Sequence, residues 1–363
     1  MLKIFILPIS LYLAGNIYIF YRGAQALSSQ SFGVKVLLSV LFWSGALSFF
    51  VSFLGRNVKF PIALAHTFYE VGSSWLVFTL YMVTYLLLFD LFKLFNITFK
   101  YSFYLSSLLT ICLLSYGYYN YRHPQTKVFN IVINKPIVHN QQPLKVVAVS
   151  DVHLGNGTGK GQLKRYVEMI NAQHPDLILI GGDLIDNSVI PLYAERMQEE
   201  LSQLKAPLGI YMVPGNHESF SDIHKCKTFL QETPIQMLRD TVVTLPNNIQ
   251  LVGRDDRTNK SRLSLQALTK KIDPSKPVIL LDHQPYDLSE TGKNGIDLQF
   301  SGHTHRGQIW PISLITDYLF DQSYGYRQWG NSHIYVSSGL SLWGPPFRIG
   351  TNSEMVIFNI QCK

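Results

Sequence analysis

The chain has 363 residues, 47% of them hydrophobic, and 31 Lys/Arg against 24 Asp/Glu give a formal net charge of +7. That length holds more than one domain, and the charge is unevenly divided: residues 1–143 carry ten cations against Glu70 and Asp90 alone, net +8, whereas residues 144–363 carry net −1. A basic excess confined to short segments between apolar runs suits lipid headgroups and argues against nucleic acid as a partner. Cys112, Cys226 and Cys362, without CxxC spacing, indicate neither a disulfide framework nor a zinc finger.

Four apolar stretches come first, at about 4–21, 34–54, 71–95 and 101–118, each roughly long enough to cross a ~30 Å hydrocarbon core. A buried core helix keeps a polar face, and these keep almost none. Residues 1–121 therefore read as an all-α transmembrane region of four helices. Tyr18 to Tyr21 and Tyr116 to Tyr119, with Arg22 and Arg122 beside them, mark headgroup levels. Asp90 either pairs with Lys93 one turn along or marks a polar path between helices, and the pairing is the simpler reading. Lys3 and Ala24-Gln25-Ala26 resemble a signal peptide, but Arg22 and two tyrosines separate the apolar run from the alanines, so an anchor is expected. Lys3, Arg56, Lys59, Arg122, Lys127 and Lys135 fall on one side and Arg22, Lys35, Lys93 and Lys100 on the other. That majority puts both termini, and the domain after the fourth helix, in the cytoplasm.

Residues 122–143 are polar and proline-containing and read as a linker, with an alternating Val128 to Ile133 as an edge strand. From residue 144 to 363 strand and helix patterns alternate: strands at 146–149, 177–180 and 210–213, helices at 161–173 and 192–204. Further strands follow at 242–245, 249–252, 278–281, 298–300, 334–337 and 355–360. This order predicts an α/β sheet domain.

Five of these strands end in chemistry-bearing loops: Asp151-Val152-His153, Gly181-Gly182-Asp183-Leu184-Ile185-Asp186, Pro214-Gly215-Asn216-His217-Glu218, Asp282-His283, and Gly302-His303-Thr304-His305-Arg306-Gly307. Any one of them could be a capped turn. Five strand ends delivering Asp, His and Asn together are harder to explain that way, because the carboxyl edge of such sheets is where ligand sites collect. Mixed oxygen and nitrogen ligands suit Mn, Fe or Zn better than Ca. A carboxylate between two such cations can bridge them, and the pair can acidify a water while clamping a phosphoryl group.

With these motifs in order, D-x-H, G-D-x-x-D, G-N-H-[DE], a later His and G-H-x-H, residues 145–360 resemble the calcineurin-like metallophosphoesterase superfamily, in particular its bacterial membrane-linked branch. The resemblance implies a β-sandwich flanked by helices and two divalent metal ions. One would be held by Asp151, His153, Asp183 and His305, the other by Asp183, Asn216, His283 and His303, with Asp183 bridging. It further implies His217 as proton donor and Glu218 as the residue that orients it, and a multi-pass protein of a bacterial inner membrane. Arg306 stands where relatives commonly have Gly; it offers a forked cation to a phosphate or pairs with a surface acid.

Between the last metal motif and the Ile334 strand lies an aromatic and aliphatic stretch, Ile309 to Leu319 with Phe320, Tyr324, Tyr326 and Trp329. It either packs as core or forms a lid, with Arg327 as a second cation for phosphate. By similarity to membrane-associated relatives that act on lipid A precursors such as UDP-2,3-diacylglucosamine, the substrate is expected to be a phosphorylated lipid met at the membrane, and membrane lipids are the expected partners. The overall expectation is a membrane-anchored phosphohydrolase. The alternatives are a non-catalytic scaffold, which would have lost a ligand, and a transporter with a phosphatase-like domain, which would want more polar residues in its spans than Asp90.

Overall fold

The computed structural model describes residues 2–54, 61–138 and 143–363. Arg56, Lys59 and Asn140-Gln141-Gln142 of the expected linker lie outside the described residues. The chain divides into two compact units, Met1–Tyr119 with Gly344–Ile349, and Asn120–Trp343 with Gly350–Lys363.

The first unit is helical: α1 (Leu2–Ala26), α2 (Phe32–Leu54), α3 (Ile62–Lys93) and α4 (Ser102–Arg122) cover the four apolar stretches. Among the described residues, two runs, Phe32–Val51 and Ala63–Lys93, are long and apolar enough to cross a membrane. Asp90 takes both a local and a distant partner. Lys93 Nζ lies 2.6 Å from one carboxylate oxygen, and Arg22 Nη1 of α1 lies 2.5 Å from the other, where the Tyr18 hydroxyl also donates. Arg22 in turn reaches Ser102 Oγ at 3.1 Å, and it is buried. The polar residues at this end thus fasten α1, α3 and α4 together instead of opening a path.

In the second unit the edge strand expected at Val128 to Ile133 forms and begins three residues earlier. Strand β1 (Gln125–Ile133) pairs in parallel with the last strand over nine residues, Gln125 opposite Glu354 through Ile133 opposite Cys362. The remaining strands are β2 (Leu144–Val149), β3 (Leu177–Ile180), β4 (Ile210–Met212), β5 (Ile235–Met237), β6 (Thr241–Thr244), β7 (Gln250–Gly253), β8 (Val278–Leu281), β9 (Leu298–Ser301), β10 (Gly325–Trp329), β11 (Ser332–Val336) and β12 (Glu354–Cys362). They form two six-stranded sheets, β1-β12-β2-β3-β4-β5 and β10-β11-β9-β8-β7-β6.

Alternation along each strand builds the layers, since successive side chains point to opposite faces. Val146, Ala148, Leu177 and Leu179 meet Leu251, Ile279, Leu281 and Phe300 of the other sheet in one buried core. Their neighbours Val147, Val149, Ile178 and Ile180 pack against the helices α5 (Lys160–Asn171), α6 (Ile190–Ala194), α7 (Met197–Leu201) and α9 (Ile223–Leu230), the last preceded by α8 (Asn216–Phe220). On the outer face of the second sheet, Val252, Val278 and Leu280 pack under α10 (Leu265–Thr269), and α11 (Ser289–Lys293) follows. The result is a β-sandwich flanked by helices. The expected helix at 192–204 is two short ones, because Arg196 between them is left-handed (φ 54°, ψ 48°). Strands β2, β3 and β4 run parallel to one another, as do β7, β8 and β9, so all five motif-bearing loops leave carboxyl ends of strands.

Candidate metal centre

The five loops bring six of the seven expected ligands, Asp151, His153, Asp183, His283, His303 and His305, into one largely buried cluster. Asp151, His153 and His305 place one ligand atom each within 4.8 Å of one another, and so do Asp183, His283 and His303. Between the two groups stands Asp183, whose Oδ2 is 3.1 Å from His283 Nε2 and 3.8 Å from His153 Nε2. The backbone reaches these positions at a cost: Asp151, His153, Asp183, His303 and His305 all have φ between 48° and 73°. That region is uncommon for residues with a Cβ, and such strain collects at functional sites. It turns the side chains off the strand axis and toward one point.

Close approach is secured by two glycines. A Cβ on Gly215 would lie 2.1 Å from Asp183 Oδ1, and one on Gly302 would lie 2.2 Å from Asp151 Oδ2. The donor set fits a pair of divalent cations. His283 Nδ1 donates to the Gly181 carbonyl at 2.8 Å, which leaves Nε2 as the nitrogen that can ligate once it is deprotonated. That nitrogen faces a carboxylate oxygen, His153 Nε2 faces His305 Nε2 at 3.1 Å, and the buried Asn216 Oδ1 has no hydrogen-bond partner. Lone pairs converging in this way need positive charge between them.

The titration of the groups gives the same answer. Burial would push the Asp151 and Asp183 carboxyls up, yet His305 beside the first and His283 beside the second hold both well below the usual carboxylate range. Burial likewise opposes a charge on His153, but Asp151 and Asp186 outweigh it and push the imidazole up to about 10. His303 moves the other way, down to about 4, through burial and the neighbouring His283. The carboxylates of the cluster are thus ionised, the form that ligates a divalent cation.

His217 sits at the edge of this cluster, its ring 4.6 Å from that of His153. The residue beside it is Asp186, whose main-chain carbonyl is hydrogen-bonded by His217 Nδ1 at 3.1 Å and whose Oδ1 lies 2.8 Å from the same nitrogen. Glu218, expected to orient His217, is placed elsewhere. It is fully buried, its Oε2 accepts from the Gly215 and Asp183 N–H groups at 2.7 and 3.0 Å, and its Oε1 accepts from Ile185 N–H at 2.8 Å. Glu218 ties the second and third metal loops together.

Residues 144–307 match the family model described as calcineurin-like phosphoesterase. An uncharacterized metallophosphoesterase of Aquifex aeolicus is 30% identical over 228 residues, covering 61% of this chain and 86% of the relative. The chain belongs to the calcineurin-like phosphoesterase family. Another relative, an uncharacterized metallophosphoesterase of Helicobacter pylori strain J99, is 36% identical over 226 residues, 61% of this chain and 60% of its own. The chain therefore spans about 60% of that relative's length. A zebrafish (Danio rerio) protein described as a transmembrane protein with metallophosphoesterase domain is 30% identical over 275 residues, covering 71% of this chain and 62% of that one.

Two further residues read as substrate contacts part company in this calcineurin-like unit. Arg306 follows His305 in a left-handed turn (φ 48°, ψ 40°), and its guanidinium lies over the Tyr324 ring at 4.8 Å; no acid pairs with it among the described residues. Arg327 is on the edge strand β10, exposed, over the Trp329 ring at 4.7 Å, and is not gathered with the metal ligands. Asp186 joins the candidate site without a role in the motif reading; its signal in the sequence is the second Asp of Gly-Asp-x-x-Asp, three residues after Asp183.

Proposed function

We propose that the protein is a membrane-anchored phosphohydrolase that uses two divalent cations, Mn, Fe or Zn, to cleave a phosphoester or phosphoanhydride bond of an amphiphilic substrate. The observation that carries the hydrolase reading is the convergence of Asp151, His153, Asp183, His283, His303 and His305 at the carboxyl edges of two sheets, with the unpartnered Asn216 Oδ1 at the start of α8, after β4. When bound, such a cation pair lowers the pKa of a water and offsets phosphoryl charge. The chain's own groups do the rest. Asp183 would lie between the cations, Asp186 holds His217 through Nδ1–H, and His217 as an imidazolium would give its Nε2 proton to the leaving oxygen.

The amphiphilic substrate is supported by α12 (Ile312–Leu319), the stretch that sequence reading divides between core and lid. Of its eight residues only Ser313 is buried; Leu314 is 59% exposed, Ile315 56%, Tyr318 89% and Leu319 63%. A core helix buries its apolar face, and this one presents it outward, as an interfacial helix does. Membrane anchoring is supported by the two apolar helices and by the zebrafish relative's description. The cationic bias supports a catalytic unit on the cytoplasmic side of a bacterial inner membrane.

The test is hydrolysis by the full chain in detergent of bis(p-nitrophenyl) phosphate and of p-nitrophenyl phosphate, after chelation and with Mn, Fe or Zn restored. Metal-dependent release of p-nitrophenolate is expected. Absence of turnover with every metal, in protein that binds two ions per chain, would overturn the hydrolase reading and favour a scaffold.

A further inference from the structure

His217 has exposed aromatic company. Phe220 stands one helical turn after it on α8, with ring centroids 5.9 Å apart, and the Trp343 ring lies 6.2 Å from the imidazole. Both are largely uncovered, Phe220 at 67% and Trp343 at 51%. Residues three apart on a helix share a face, so the Asn-His-Glu-Ser-Phe sequence itself puts the ring beside the imidazole. Neither ring is required by the metal ligands, and both leave most of their apolar surface to water, an arrangement that gains free energy only when something apolar covers it.

We propose that Phe220 and Trp343 form the subsite for the leaving group, and that the leaving group is an apolar alcohol, the lipid part of a phospholipid-like ester. The inference rests on the phosphohydrolase reading, and what it adds is direction. In hydrolysis the P–O bond to the leaving oxygen breaks, that oxygen takes its proton from His217 Nε2, and a water oxygen forms the new P–O bond and releases a proton to solvent. The group that stands beside His217 is therefore the one that departs. Phe220 and Trp343 cover that group, and the phosphate remains with the cations.

The experiment compares full-chain protein in one detergent on ethyl and hexyl phosphate and on their methyl diesters, with release of each alcohol measured. The two alcohols have nearly the same acidity, so the ratio of kcat/KM reports contact and not chemistry. A methylene fully withdrawn from water is worth roughly fourfold; with walls that cover about half of the chain, hexyl is expected to lead ethyl on the order of 15-fold. Phe220→Ala and Trp343→Ala should each lower the ratio about three- to fivefold, and Phe220→Leu should restore most of it. Because both residues are exposed, these truncations open no core. A ratio near one in the wild type, or an unchanged ratio in both alanine variants, overturns the subsite. A preference for a nucleoside 5′-monophosphate over hexyl phosphate that Phe220→Leu destroys also overturns it, since the wall would then stack on a base. Failure of the phosphohydrolase reading is distinct: neither an alcohol from the four esters, nor p-nitrophenolate from its aryl esters, nor phosphate from pyrophosphate would be released at any metal, whereas turnover of the last two without alcohol release would overturn the subsite alone.

Discussion

His217 Nδ1 and Asp186 Oδ1 lie 2.8 Å apart, and the same Asp186 oxygen lies 3.5 Å from His153 Nδ1. One buried residue thus stands beside two imidazoles of the cluster, and its main-chain carbonyl also takes a hydrogen bond from His217 Nδ1 at 3.1 Å. Burial pushes the Asp186 carboxyl up, but bonds to His153 and His217 hold it well below the ordinary range, so it is ionised throughout the physiological pH range. Asp186→Asn is expected to lower kcat about 10- to 100-fold, the usual cost of losing the outer partner of a site imidazole. The loss should be larger for alkoxide than for p-nitrophenolate leaving groups, because only the former need the proton. Equal losses on both would show that Asp186 does not act through His217.

Asp183→Asn should remove activity to below detection and lower bound metal, since a neutral amide cannot bridge two divalent charges. Metal content by mass spectrometry alongside turnover checks both halves. His217→Ala should keep the metal and lose about 10²- to 10⁴-fold in rate.

Glu218→Gln separates scaffold from chemistry. The Glu218 carboxylate receives three backbone N–H groups from Gly215, Asp183 and Ile185. An amide turns its NH₂ against at least one of them, and a buried unsatisfied donor costs about 1–3 kcal/mol. The variant is expected to melt several degrees lower and to bind metal more weakly, with no special sensitivity to leaving-group acidity. A leaving-group effect like that of Asp186→Asn would return Glu218 to the proton-transfer role.

How far the site was legible follows from the kind of signal each residue carried. Ligands such as Asp151 and His303 are written beside the strand end that positions them, so local pattern suffices. Asp186 is written just as plainly, but its partner His217 is 31 residues away, and the neighbouring Glu218 competes for the same role until the loops are folded. The edge strand at 128–133 is legible from its alternation, but its partner is not: β1 is held by β12, with Asn130 opposite Asn359, and no local pattern names a strand so distant in the chain. Strands β5 and β10 are short, and β10 is largely exposed, so neither shows the apolar run that marked the central strands. Arg196 breaks the expected helix without a glycine to announce it.

Removing metal should be visible as proton uptake. In the metal-free fold His153 is held at about 10 and His283 well above the ordinary imidazole value, in both cases because neighbouring carboxylates outweigh the opposing effect of burial. Both are therefore protonated at pH 7.5 without metal and must lose those protons to bind it. Titration of metal into chelated protein should release about two protons per chain. The sign also fixes a stability trend. A His raised in the folded state contributes stability that is complete below its unfolded value near 6.5 and is lost as pH rises toward 10. Metal-free protein should accordingly lose melting temperature between those values. Calorimetry in buffers of different ionisation enthalpy checks the first point and thermal scans across pH the second; proton release near zero would mean the imidazoles are already neutral.

The outward apolar face of α12 predicts how activity depends on the form of the substrate. Leu314 and Leu319 are 59% and 63% exposed, so Leu314→Gln with Leu319→Gln leaves no cavity, and exposed replacements of this kind usually shift stability by under about 0.5 kcal/mol each. In a bilayer the same change removes two side chains that each contribute on the order of 1–2 kcal/mol when withdrawn from water. The double variant, reconstituted in vesicles, is expected to lose roughly tenfold or more in kcat/KM on a long-chain phosphate ester embedded in the bilayer, chiefly through KM. Its ratio of long-chain to short-chain activity should fall accordingly. Trp310→Ala with Phe320→Ala probes the two ends of the helix, and Phe320 stands 6.1 Å from the His303 ring, so this pair should lower kcat as well. A long-chain to short-chain ratio that stays at the wild-type value in both double variants would mean that α12 meets neither the bilayer nor the substrate.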